Sequence, residues 1–263
     1  MQSEIYLDQD MTISESLFLA DCELQVFSKK CHDRSDNQDA IVVVGHEDGP
    51  VVVGLADGAG GHKNGAWASK VAMEALRASL SSASTAQLRR VQILDAFEEA
   101  NNRIIRDANG AATTMVVAEV SENKARVYFA GDSICLVVGG RGKLKYRTYG
   151  HNPVDLGIQA GLLDEDVYDE QGLRHIVTNM LGSKQLHIES SVQLSLDPKD
   201  TLLICSDGLY DNVKLEEICS ILSGSDLTKI ADTLQTKASQ AMHSQDDEFS
   251  KHDDLSFVLV RRK

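Results

Sequence analysis

The sequence predicts a layered α+β sandwich of antiparallel sheets covered by helices. Three observations carry this. Strand-like runs arrive in pairs joined by short turns, helical periodicity is grouped in blocks between those pairs, and the regular strand–helix alternation of a doubly wound parallel sheet is missing.

Taken in order, β-rich apolar runs span Leu24 to Ser28, Ile41 to Val44 and Val51 to Ala56, with His46-Glu47-Asp48-Gly49-Pro50 as the turn that makes the last two a hairpin. From Gly65 to Leu80, Trp67, Val71, Met73, Leu76 and Leu80 recur at helical spacing. Leu88 to Ala108 does the same through Val91, Leu94, Phe97 and Ile104-Ile105, giving two consecutive amphipathic helices. Strand signals return at Thr114 to Val120, Ala125 to Ala130, Ser133 to Val138 and Lys143 to Tyr149, a meander with brief turns such as Ser121-Glu122-Asn123. After a mixed stretch from Pro153 to Gly182, strands are expected at Leu186 to Leu194 and Thr201 to Cys205. Helices follow at Leu215 to Ser223 and Leu227 to His243, with a closing strand at Leu255 to Arg261.

With 263 residues, 42% of them hydrophobic, the chain can bury a substantial core, and three prolines without a linker-like tract give no internal boundary. We read one domain over 22–263, preceded by an extension of unknown role at 1–21. A formal charge of -14 with scattered basic residues disfavours nucleic acid, which is bound mainly by Lys and Arg neutralising phosphates. Cys22, Cys31, Cys135, Cys205 and Cys219 are odd in number, far apart and mostly set in apolar runs, as core thiols in a reducing cytoplasm would be. Met1 to Asp21 has no apolar run long enough for a signal or anchor, so no membrane partner is expected. A monomer is expected.

The informative pattern is acids beside strand ends and glycines. Asp39 precedes Ile41–Val44, Asp57-Gly58 follows Val51–Ala56, and Gly131-Asp132 separates two strands. Ser206-Asp207-Gly208 follows Leu202–Cys205, and Asp253-Asp254 opens the last strand. One such aspartate is ordinarily a turn or cap residue. Five strand termini so equipped point instead to a hard cation, Mg²⁺ or Mn²⁺, which needs oxygen ligands held rigidly. Glycine after Asp57 lets backbone approach closely, so that the carboxylate could bridge two ions while the Gly58 carbonyl serves one.

Leu55-Ala-Asp-Gly-Ala-Gly-Gly-His62 follows a strand and precedes a helix. It lacks the glycine spacing of a dinucleotide fingerprint and the Gly-Lys-Ser/Thr ending of a nucleotide loop, and its acid would repel a phosphate unless a cation intervened. Arg34, shortly before Asp39, offers a planar fork for two phosphate oxygens. Ser206 sits in no nucleophile elbow and no cysteine in a phosphate-binding loop, which leaves water as the nucleophile.

These residues resemble the protein phosphatase 2C, or PPM-type, metal-dependent serine/threonine phosphatases, and in particular their compact bacterial members. The elements occur in family order from about Cys22 to Arg262: Arg34-Ser-Asp-Asn-Gln-Asp39, Ala56-Asp-Gly-Ala-Gly-Gly-His62, Ala112-Thr-Thr114, Ala130-Gly-Asp-Ser133, Leu203-Ile-Cys-Ser-Asp-Gly-Leu-Tyr-Asp211 and Asp253-Asp-Leu-Ser-Phe-Val258. The resemblance implies a four-layer αββα sandwich of two antiparallel β-sheets flanked by helices. It implies Asp57 bridging two Mn²⁺ or Mg²⁺ ions, Gly58 giving its carbonyl to one, Asp207 and Asp253 ligating the other, and Asp39 binding through water. Asp132 would hold a third ion with Asp207, and Arg34 the substrate phosphate. The implied reaction is direct attack on phosphoserine or phosphothreonine by a metal-bridging water whose pKa falls from about 16 toward roughly 7, on phosphorylated proteins of a serine/threonine kinase pathway.

Departures from the family pattern are Gln38 for a common glutamate, Ala59 where animal enzymes carry a histidine assigned as general acid, Ile134 for an arginine and Ala112 for a glycine. His62 does not align with that general acid. Gly150 to Gly182 occupies the place of the family's flap, and His151, His175 and His187 read as surface or core histidines rather than ligands. Two alternatives stay open: a catalytically weak member acting as a sensory or binding module, and a metal hydrolase of small phosphoesters or nucleic acid, the acidic charge arguing against the nucleic-acid version only.

Overall fold

Most strands in this chain are buried on both faces, which is why the sequence reads as unbroken apolar runs rather than as alternation. The computed structural model describes residues 2–45, 49–59, 64–81, 85–107, 110–164, 173, 176–244 and 251–262. One sheet has seven strands, β1 (Gln2–Leu7), β4 (Asp39–Gly45), β5 (Val51–Asp57), β6 (Met115–Ser121), β7 (Lys124–Ala130) and β10 (Glu189–Ser190) in that order, with β11 (Leu194–Ser195) also on β7. The other has six, in the order β2 (Glu15–Leu19), β3 (Cys22–Lys29), β13 (Leu255–Arg262), β12 (Thr201–Cys205), β8 (Ile134–Val138) and β9 (Leu144–Arg147). Every strand pair is antiparallel.

Helices α1 (Gly65–Ser79) and α2 (Ala86–Asp107) cover the first sheet. Helices α4 (Asp207–Tyr210), α5 (Leu215–Leu222) and α6 (Leu227–Met242) cover the second, and α3 (Pro153–Gln159) follows β9. Because successive residues of a strand point to opposite faces, each sheet feeds two cores. Val42, Val52 and Val117 pack with Met73, Leu76, Phe97 and Ile104. Their neighbours Ile41, Val53 and Val116 meet Leu24, Val137, Ile204 and Val258 between the sheets. Phe27, Leu136, Leu203 and Phe257 pack on Leu209, Ile218, Ala231 and Leu234. Three cores separate four layers, the αββα sandwich expected.

The paired strands and both long helices stand where the periodicity puts them, the His46–Asp48 turn and Ala108 lying outside the described residues. Two expectations change. Residues 2–19, set apart as an extension, supply an edge strand to each sheet: β1 runs register Gln2↔Gly45 to Leu7↔Ala40 on β4, and β2 pairs with β3. The strand expected over Leu186–Leu194 is reduced to the two short pieces β10 and β11. Between them the Ser191 hydroxyl accepts the Val127 N–H at 3.0 Å, a place in the ladder that a backbone carbonyl would otherwise take.

All five cysteines are free and buried. Among the described residues no helix is long and apolar enough to cross a membrane.

Candidate metal centre

Strand register alone brings the acids together. Asp39 is opposite Asp57 on β4 and β5. At the same end of the sandwich β6 and β7 pair Met115 with Ala130, the chain crosses through Gly131-Asp132 to the second sheet, and Cys205 pairs with both Ile134 and Phe257. Asp132, Asp207 and Asp253 therefore leave their strands at the rim that Asp39 and Asp57 occupy.

The backbone around them is tightly held. Asp57 N–H donates to Thr114 Oγ1 at 3.0 Å, and its carbonyl accepts from Thr114 N at 2.8 Å and Thr113 Oγ1 at 2.8 Å. Gly58 N–H donates to the Gln38 carbonyl at 3.0 Å. A Cβ on Gly58 would stand 2.4 Å from the Gly65 backbone at the start of α1, so only glycine permits this approach. Gly131, at φ +114°, lies against Thr114, where a Cβ would be 2.5 Å away. Its N–H donates to Nδ1 of buried His151 at 2.9 Å, which fixes the turn carrying Asp132.

The carboxylates repel one another. Burial pushes Asp57 well above the usual carboxylate range, and Asp39, Asp207, Asp253 and Asp132 push it further. Asp39 is raised by burial and then by Asp254, against hydrogen bonds from serine hydroxyls, among them Ser206 Oγ at 2.9 Å. Asp132 is raised by burial and Asp207, with Lys251 pulling the other way, and Asp253 is raised by burial and Asp207 against Lys251 and Arg34.

The donor set fits a hard cation. The acids gathered at the rim all offer oxygen, and among the described residues Asp39 Oδ1, Asp207 Oδ1 and Gln38 Oε1 are buried with no hydrogen-bond partner. Orphaned buried oxygens are costly, and divalent ions would satisfy them while cancelling the mutual repulsion.

Two cations of the chain itself already stand at the second-sheet side. Arg34 Nη1 contacts Asp253 Oδ1 at 2.5 Å and Asp254 Oδ2 at 2.7 Å. Burial alone would lower its pKa, and Asp253, Asp254 and Asp57 outweigh that and raise it. Lys251 Nζ contacts Asp207 Oδ2, Asp253 Oδ2 at 3.3 Å and Asp211 Oδ2 at 3.6 Å. Asp254 also accepts from Cys31 N at 2.7 Å and Gln38 N at 2.9 Å, so this one carboxylate anchors the loop that carries Arg34 into β4.

The sequence profile of the family described as "Protein phosphatase 2C" matches residues 28–245, most of the chain and all the acids but Asp253 and Asp254. The chain belongs to the protein phosphatase 2C family. It is 28% identical over 244 residues to the serine/threonine phosphatase Stp of Listeria monocytogenes, covering 87% of this chain and 91% of the relative. Its fold matches Stp1 of Staphylococcus aureus at TM-score 0.80 and 22% identity, covering 97% of this chain and 99% of that one. It also matches the catalytic domain of the phosphatase PstP, solved in complex with two manganese ions, at TM-score 0.72 and 21% identity, covering 91% and 97%.

Each acid that the sequence singled out in this phosphatase 2C chain lies at one rim, and Arg34 joins them through Asp253 and Asp254. His62 and His175 lie outside the described residues. His151 is buried and structural, and His187 is exposed. Sequence reasoning missed the roles of Lys251 and Asp254. The signal for Asp254 was its place in the Asp253-Asp254 pair, whereas Lys251, 44 residues from Asp207, carried none.

Proposed function

We propose that this protein is a serine/threonine phosphatase acting on other phosphorylated proteins, with the aspartate rim as its reaction centre and Mn²⁺ or Mg²⁺ as its ions. The observation that carries the reading is the convergence of Asp39, Asp57, Asp132, Asp207 and Asp253 from both sheets, with Asp39 Oδ1 and Asp207 Oδ1 buried and unpartnered among the described residues. Asp57 and the Gly58 carbonyl would hold two core ions together with Asp207 and Asp253. Asp39 would act through water, and Asp132 would share a third ion with Asp207.

When bound, the ions supply the Lewis acidity that makes water nucleophilic near neutral pH and offsets charge on the phosphoryl oxygens. The protein's own part is positional. Asp39 and Asp57 are locked by strand pairing, and Asp254 holds Arg34 at the rim through a single nitrogen, Nη1. Among the described residues Nη2 and Nε of Arg34 take no partner, which leaves a planar pair of donors for the substrate phosphate. The acidic rim would repel a phosphate until cations intervene.

A phosphothreonine peptide, a phosphotyrosine peptide and a nucleotide, compared under manganese, test the substrate class. Preference for phosphothreonine supports the proposal, and equal rates on all three would replace it with a general phosphoesterase. We further propose that the enzyme is cytoplasmic and monomeric and opposes a serine/threonine kinase.

A further inference from the structure

A second group of metal-binding side chains stands beside the rim but outside it. Cys31, His32 and Asp33 follow β3, His243 caps the C-terminus of α6, and His252 immediately precedes Asp253. The thiol of Cys31, a ring nitrogen of His32 and a carboxylate oxygen of Asp33 all lie within 4.8 Å of one another. Asp33 reaches two imidazoles at once, Oδ1 to His32 Nε2 at 3.0 Å and Oδ2 to His252 Nδ1 at 3.4 Å. The His243 ring closes another side, its centroid 5.5 Å from that of His32 and 6.1 Å from that of His252, with His32 and His252 at 5.4 Å.

Ring stacking would account for the three histidines. It does not account for the thiol of Cys31 and the carboxylate of Asp33, which flank His32 in one stretch, gathering beside imidazoles from two other stretches of chain. Donors around a tetrahedral zinc lie about 3.5 Å apart, given metal–ligand bonds of about 2.0–2.3 Å. The Asp33 contacts are already at that spacing, and His32, Asp33 and His252 are exposed side chains beside the buried Cys31, with room to rotate toward a common ion.

We propose that Cys31, His32, Asp33 and His252 form a separate site for a borderline-soft cation, Zn²⁺, walled by His243. The two centres differ in the ions they take. Sulfur and imidazole nitrogen favour zinc, whereas the aspartate rim, all oxygen, suits magnesium or manganese. Occupation ties the loop leading into Arg34 to the segment leading into Asp253, so zinc fastens together two stretches that meet at the reaction centre.

The test is zinc titration by calorimetry of the full chain saturated with magnesium, against a competing chelator. One zinc equivalent is expected in the wild type and in Asp57→Asn alike, with binding weakened at least tenfold in His32→Ala, in His252→Ala and in Cys31→Ser. Cobalt in place of zinc should give a near-ultraviolet sulfur charge-transfer band that Cys31→Ser removes and that His252→Ala, which keeps all five cysteines, diminishes. Zinc binding unchanged in both histidine variants, or lost in Asp57→Asn, would overturn the site. Those histidines are exposed, so their replacement tests ligation and not folding. Because Asp57→Asn should be inactive yet still bind zinc, failure here is distinguishable from failure of the phosphatase reading.

Discussion

The two sides of the aspartate rim are built differently. On the first sheet, Asp39 and Asp57 face each other across a strand pair and make no ion pair among the described residues; the largest charge effects on Asp57 come from other acids pushing its pKa up, with Arg34 opposing them. On the second, Asp207 and Asp253 carry Lys251 and Arg34 against them. One side is rigid and without a contacting counterion among the described residues, the other supplied with its own. The contrast teaches where external cations are most needed: the first-sheet side gains most from an ion, and the second must release a bound ammonium to take one.

The largest expected effect breaks the first-sheet side. Asp57→Asn should lower manganese-stimulated hydrolysis of a phosphothreonine peptide by about a thousandfold or more. Because it removes a repelling charge, it should also raise the melting temperature of the chelated protein by several degrees. Asp207→Asn should be as inactive but should not raise that temperature, since it takes a partner from Lys251. Equal thermal shifts in the two variants would erase the distinction between the sides.

Next in size is Arg34→Ala, expected to lower kcat/KM by about a hundredfold, with Arg34→Lys recovering only part because a single ammonium cannot replace the fork. Full recovery by lysine would mean that Arg34 serves only as a counterion to Asp253 and Asp254.

Lys251→Met sharpens the comparison from the other side. Without the ammonium, Asp207, Asp211 and Asp253 should take manganese about fivefold more tightly, while the chelated protein melts about 3 °C lower, equivalent to roughly 1 kcal/mol for a chain of this size. Unchanged manganese affinity by calorimetry would show that Lys251 does not compete with an ion. The smallest effect is expected from Thr114→Val, which removes the hydroxyl that takes the Asp57 N–H and meets Ser133 Oγ at 2.7 Å. A loss of about 1–2 kcal/mol in denaturant unfolding is expected, and none would mean that the strand pair holds Asp57 unaided.

The same contrast marks what was legible. Asp39, Asp57, Asp132, Asp207 and Asp253 could be read because each sits where an apolar run stops beside a turn or glycine, a local pattern. Their convergence rests on register between strands far apart in the chain, and from the residues alone it was an expectation that the family resemblance strengthened. The counterions were illegible, since Lys251 is an ordinary loop lysine until its reach across the rim is seen. β1 and β2 escaped notice for another reason. Gln2–Leu7 and Glu15–Leu19 are edge strands with exposed polar positions, so neither shows the continuous apolar run that betrayed the interior strands. Leu186–Leu194 erred in the opposite sense, apolar enough to suggest a strand but carrying Ser191 where the ladder breaks off after Ser190.

β13 lies between β3 and β12, hydrogen-bonded along both edges, although all the other elements precede it in the chain. A polypeptide still emerging from the ribosome would thus hold a split second sheet, with Asp253 and Asp254 yet to arrive and the arginine loop unanchored. On the proposed reading, catalytic competence waits until β13 has emerged, and a proteolytic cut before residue 253 would remove it while sparing most of the chain's mass.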